Sequence, residues 1–187
     1  MRNDGRQDRA GWRQLDDLAA ENSWNAFDEL YRFRPGVSPS TWPAIHEPAP
    51  SITFDLSTIP DGAPRAAAAR AINNEARRCF IWALAGEPMV VLDWQHPTWS
   101  FSPTDEASNL EYDSPFSHYP AVFPDGDYYA FLTTDLREGT FGHPWERTLC
   151  VMGDRLIRTL GASLSTWLPS VRIDGRAIDQ TSSPTAP

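Results

Sequence analysis

Two short segments carry most of the residues able to do chemistry: Asp93-Trp94-Gln95-His96-Pro97-Thr98-Trp99 and Gly142-His143-Pro144-Trp145-Glu146. Each sets an imidazole beside a proline, with tryptophan and a carboxylate close by. Three uses are open to such a group: metal ligation, proton transfer, or hydrogen-bonded packing at a strand end. Proton transfer needs a group titrating near neutrality and a partner to orient it. His143 and His96, with Glu146 and Asp93, are the candidate catalytic residues on that count. Proline fixes its own φ and drives the preceding residue out of the helical region. His143 is therefore held extended, and Glu146, three residues on, falls on the opposite face of an extended chain. Spacing alone does not make these two a dyad.

Other chemistries have no signature. There is no Gly-x-Ser-x-Gly elbow, no phosphate-cradling glycine loop and no dinucleotide fingerprint. The absence of HExxH, CxxC and His-x-His leads us to expect no metal site; which cofactor, if any, the chain uses is unknown at this stage. Cys79 and Cys150 both sit in apolar runs and read as buried free thiols. Aromatic side chains with a polar tip suit binding surfaces, so Trp94, Gln95, Trp99, Trp145 and Tyr128 are the candidate binding residues.

The elements that must position these groups follow from periodicity. Residues 1–20 read as a polar N-terminal extension and 174–187 as a disordered tail, leaving 21–173 as a single domain. A helix is predicted from an N-cap at Ser23, with Trp24, Phe27, Leu30 and Tyr31 on one face. Five prolines between residues 35 and 50 mark an extended linker. Ser51–Leu56 alternates as a strand. Pro64 opens a long helix whose stripe is Ala68, Ile72, Ala76, Cys79 and Phe80, with Gly86 at its end. Strands are predicted at 89–95, 98–101, 128–134 and 147–152, and a third helix after Gly153 carries Leu156, Ile157, Leu160 and Leu164. Residues 103–126 lack periodicity, yet Tyr112, Phe116, Tyr119 and Phe123 imply a loop folded back on the body. The result is an α+β domain, a mainly antiparallel sheet with about three helices packed on it, expected on one side.

The chain has 187 residues, 41% hydrophobic and 12% aromatic, and a net charge of −9. That excess is localised. Between Cys79 and Leu136 there are nine acids and no basic residue, and elsewhere acids and arginines balance. Such a field repels phosphate backbones and suits a cation, a metal or a basic protein surface. We therefore expect no nucleic-acid and no membrane partner, and a protein partner or small ligand instead. No run reaches the ~20 apolar residues of a membrane helix, and the polar start has no apolar signal region, so a cytoplasmic location is expected.

Several stretches together resemble one family. They are Trp42-Pro43, Glu47-Pro48-Ala49-Pro50-Ser51-Ile52-Thr53, Leu92-Asp93-Trp94-Gln95-His96, Gly126-Asp127-Tyr128-Tyr129, and Gly139-Thr140-Phe141-Gly142-His143-Pro144-Trp145-Glu146-Arg147-Thr148-Leu149-Cys150-Val151. The resemblance, running from about Trp24 to Leu160, is to the bacterial family known as domain of unknown function 2716. It implies a small bacterial cytoplasmic protein and brings no activity or site assignment with it. The residues themselves favour a non-enzymatic binding module with an aromatic, acidic surface. The alternative is a small hydrolase-type enzyme with His143 as acid–base or metal ligand.

Overall fold

The computed structural model describes residues 11–105 and 119–178. Its frame is a nine-stranded sheet in the order β1-β4-β3-β5-β6-β7-β2-β8-β9, with every neighbouring pair antiparallel. The strands are β1 (Trp12–Gln14), β2 (Ser51–Asp55), β3 (Met89–Asp93), β4 (Trp99–Phe101) and β5 (Tyr129–Thr133). They continue as β6 (Gly139–His143), β7 (Thr148–Met152), β8 (Ser170–Ile173) and β9 (Arg176–Ala177). The helices are α1 (Asp17–Tyr31), α2 (Ala63–Ala83) and a composite third. In that third one, α3 (Asp154–Leu156) runs through a π-helical turn (Ile157–Gly161) into α4 (Ala162–Leu164). The α+β class and the antiparallel sheet are as the periodicity predicts.

The helices do not all lie on one side, contrary to expectation. Val91, Phe131, Leu149 and Val151 pack with Ile72, Ala76 and Phe80 of α2 and with Leu156, Leu160 and Leu164. Their strand neighbours Leu92, Ala130, Leu132, Cys150 and Met152 pack with Phe27 and Tyr31 of α1. Successive strand residues face opposite ways, so the two sets define two covered faces. The reason is visible in Thr148–Met152, which is buried at every position; a strand apolar on both faces must be covered on both.

Helix α1 begins earlier than predicted. Asp16, not Ser23, is its cap, accepting the Ala19 N–H at 2.8 Å. The Ser23 hydroxyl donates to the Ala19 carbonyl one turn back and leaves the helix uninterrupted. Within the stretch read as an N-terminal extension, Trp12 is only 2% exposed and β1 pairs with β4. At the other end, β9 falls in the stretch read as a tail and pairs with β8. Residues 1–10 and 179–187 lie outside the described residues, as do Tyr112 and Phe116 of the 103–126 loop. Of the loop's other aromatics, Phe123 is buried and Tyr119 packs on the α2-side core. The two cysteines are free and sit on opposite faces of the sheet.

Candidate functional site

Both His-Pro segments are hairpin turns, and they lie at the same end of the sheet. Residues 94–98 link β3 to β4, and residues 144–147 link β6 to β7. Between them stands the start of β5: Asp93 pairs with Tyr129, and Tyr129 with Gly142. Trp94 and Trp145 meet edge to face, ring centroids 6.3 Å apart, and both are half-buried.

The first turn is tightened by Gln95, which has φ +65° and is exposed. It is tied to its surroundings at Thr98, whose hydroxyl accepts from the Trp24 indole of α1 and whose carbonyl accepts from the Leu15 N–H. The His96 backbone N–H donates to the Asp93 carbonyl, and its Nδ1 lies 3.0 Å from Asp93 Oδ1. Asp127, immediately ahead of β5, brings its Oδ2 to 3.5 Å from the same Nδ1. Its Oδ1 accepts the Tyr128 N–H. Asp93 is buried while the His96 side chain is 58% exposed. Burial pushes the Asp93 carboxyl up to about 6, against the pull of His96, and burial also raises Asp127.

The second turn is built differently. His143 ends β6, is 1% exposed, and is ringed by Trp42, Tyr128 and Trp145. Its Nδ1 accepts the Glu146 backbone N–H at 3.0 Å. A backbone N–H can only donate, so the proton of the neutral imidazole sits on Nε2. Nε2 faces the Tyr128 hydroxyl at 3.4 Å. That hydroxyl donates to the Gly36 carbonyl at 2.8 Å and accepts the Gly36 N–H at 3.1 Å. Every donor and acceptor of this chain is thereby used. Burial holds His143 down at about 4, with Glu146 pulling the other way.

The Glu146 carboxylate is occupied elsewhere. It makes a two-pronged pair with Arg172 of β8, at 2.6 and 2.9 Å, and accepts the Thr148 hydroxyl. Arg172 Nε donates to Glu47 at 2.8 Å. The outcome is a sequestered acid–arginine–acid cluster beneath the second turn.

The candidate residues therefore separate. Asp93 and His96 are together, joined by Asp127. His143 and Glu146 are together in the chain, but only the Glu146 backbone meets the imidazole. His96 and His143 share no partner. Of the candidate binding residues, Trp94, Gln95 and Trp145 line the turn end. Tyr128 is 1% exposed and serves the hydrogen-bond chain inside. Trp99 is a correction to the surface reading: it is 3% exposed and packs against Trp12 and Tyr119 in the α2-side core. Its place in β4 opposite Val91 turns it away from Trp94. Sequence reasoning missed Asp127 as a partner of His96; it stood in Gly126-Asp127-Tyr128-Tyr129, but only strand pairing joins the two. Arg172 and Gly36 carried no local signal, and Trp42 and Glu47 stood only in stretches that carry the family resemblance.

The model of the family described as protein of unknown function DUF2716 matches residues 14–157. The chain belongs to this family. The match takes in both turns, with Asp93, His96, Asp127, His143 and Glu146, and stops short of Arg172. The chain is also similar to Uncharacterized protein YxiI of Bacillus subtilis (strain 168), 27% identical over 155 residues, which cover 80% of this chain and 91% of that protein. No solved structure matches the chain significantly.

Proposed function

We propose that this family member is a non-enzymatic binding module that takes a cationic ligand or a basic partner segment at the turn end of its sheet. One observation carries the reading: the two turns lie at one end of the sheet, where half-buried Trp94 and Trp145 meet and the carboxylates of Asp93 and Asp127 close on His96. Indole faces and carboxylates both attract cations. The absence of arginine and lysine between Cys79 and Leu136 leaves that field uncancelled along the chain. No helix among the described residues is long and apolar enough to cross a membrane.

Thermal denaturation with added probes tests it. An arginine-rich peptide should raise Tm at low salt and an acidic peptide of equal length should not. The response should fade with salt and in Asp127→Asn with Trp145→Ala. Stabilisation by the acidic peptide, or an unchanged response in the double variant, refutes the reading.

A second reading has one observation in its favour. Asp93 orients an exposed His96 through Nδ1 at 3.0 Å, the arrangement of a general base with its orienting carboxylate. It would show as turnover of simple p-nitrophenyl esters lost in His96→Gln. His143 supports no such role, because its Nδ1 lone pair is taken and its ring is enclosed.

A further inference from the structure

Among the described residues, three sequestered carboxylates are matched to arginine. Glu47 and Glu146 share Arg172, and Glu138 holds Arg155. Asp93 differs: it is 93% buried, its ion-pair partner among the described residues is the His96 imidazole, and the other charged groups bearing on it are the carboxylates of Asp127 and Asp125. Buried charges in proteins are paired or coordinate metals. No arginine among the described residues pairs with Asp93, so a bound cation would supply the charge that Arg172 supplies to Glu47 and Glu146.

The geometry points to a divalent first-row transition-metal ion held by Asp93, His96 and Asp127, Zn2+ the tightest of those tested below. This specifies the cationic ligand of the turn end and rests on that reading. One ligand atom from each residue lies within 4.8 Å of the others. Bonds of about 2.0–2.2 Å to Zn2+ place neighbouring ligand atoms roughly 3.0–3.5 Å apart. The observed separations of 3.0 and 3.5 Å from His96 Nδ1 match that spacing. The holders are fixed in advance: Asp93 ends a strand, the His96 N–H closes the turn on the Asp93 carbonyl, and the Tyr128 N–H pins Asp127 Oδ1 while leaving Oδ2 forward. Such outer bonds orient ligands before the ion arrives. One imidazole with two carboxylates suits Zn2+ or Mn2+ better than the all-oxygen shells of Ca2+ and Mg2+. Exposure of His96 leaves the outer coordination positions to water or a ligand. Motif spacing predicts no metal because the third ligand stands 31 residues away, just ahead of a neighbouring strand.

Isothermal titration of metal-free full-length protein with Zn2+, Mn2+ and Mg2+ decides the matter. We expect one Zn2+ per chain, bound more tightly than Mn2+, with Mg2+ undetected. His96→Gln and Asp127→Asn, both at exposed or half-exposed positions, should weaken Zn2+ binding at least tenfold while circular dichroism stays unchanged. His143→Gln should leave it intact. Co2+ should give ligand-field bands in the visible spectrum that vanish in Asp127→Asn. No Zn2+ uptake by folded protein, or uptake that survives both variants, overturns the assignment. If Zn2+ fails and the arginine-rich peptide still stabilises the protein, the metal is wrong and the cationic reading stands. If both fail, the reading itself falls.

Discussion

His143 is an imidazole kept neutral by its neighbours, and this has a measurable consequence. Its pKa falls from the ordinary 6.5 to about 4 in the folded state. Below pH 6.5 the unfolded chain takes up a proton that the folded chain refuses. The stability His143 contributes is thus present above 6.5 and is lost as the pH falls toward 4, by up to about 1.4 kcal/mol per pH unit and roughly 3 kcal/mol in all. Asp93 works in the reverse sense. Its pKa is raised from 3.8 to about 6, so its contribution is fullest below 3.8 and is lost as the pH rises through 6. Urea midpoints at pH 7 and pH 5 should separate the two. His143→Gln should flatten the acid loss seen in the natural chain, and Asp93→Asn should steepen it. Parallel profiles in all three proteins would contradict both assignments. The extended backbone at His143 was legible from the following proline. Its neutrality was not, because Trp42 and Tyr128, which help to bury the ring, are remote in sequence and only the folded chain brings them to it.

At the scale of elements, one carboxylate and one guanidinium fasten pieces that the strand ladder alone does not hold. Glu138, at the β5–β6 turn, accepts the backbone N–H groups of Arg155 and Leu156 and so caps α3 from another element. The ordinary cap position is Gly153, with φ +91°, where an added Cβ would lie 2.4 Å from a Glu138 carboxylate oxygen. Arg172 fastens β8 to the residues 35–50 linker and to the second turn. Its replacement by leucine leaves Glu47 and Glu146 buried without a counter-charge and should cost about 3–5 kcal/mol. Adding Glu47→Gln and Glu146→Gln should recover much of that loss, as chemical denaturation will show. A full loss persisting in the triple variant would mean packing, not charge, is what Arg172 supplies. The long, strongly patterned elements were readable in advance: β2, α2, β5 and β7 stand close to their predicted places. Strand β1 was not, since three residues with one buried tryptophan give no period to detect. The side taken by each helix was hidden for a related reason. Apolar residues at consecutive positions of β7 can be read as burial without showing that two different layers bury them.

For the whole molecule, strand order is the governing feature. Strand β2, made early, sits between β7 and β8, made late. Arg172, which neutralises the second turn, comes after the last residue of the family match. Both partners of that arginine are synthesised before it. On the ribosome, the turn with Glu146 and the linker with Glu47 emerge while their common cation is still inside the exit tunnel, and β2 still has an open edge. A chain ending before Ser170 imitates that moment. It should be cut rapidly by a low dose of protease near residues 144–147, and Glu146→Gln should slow the cut. Neutralisation of the second turn is therefore timed by β8, and a nascent chain stays vulnerable at the turn end until Arg172 has been made and has emerged.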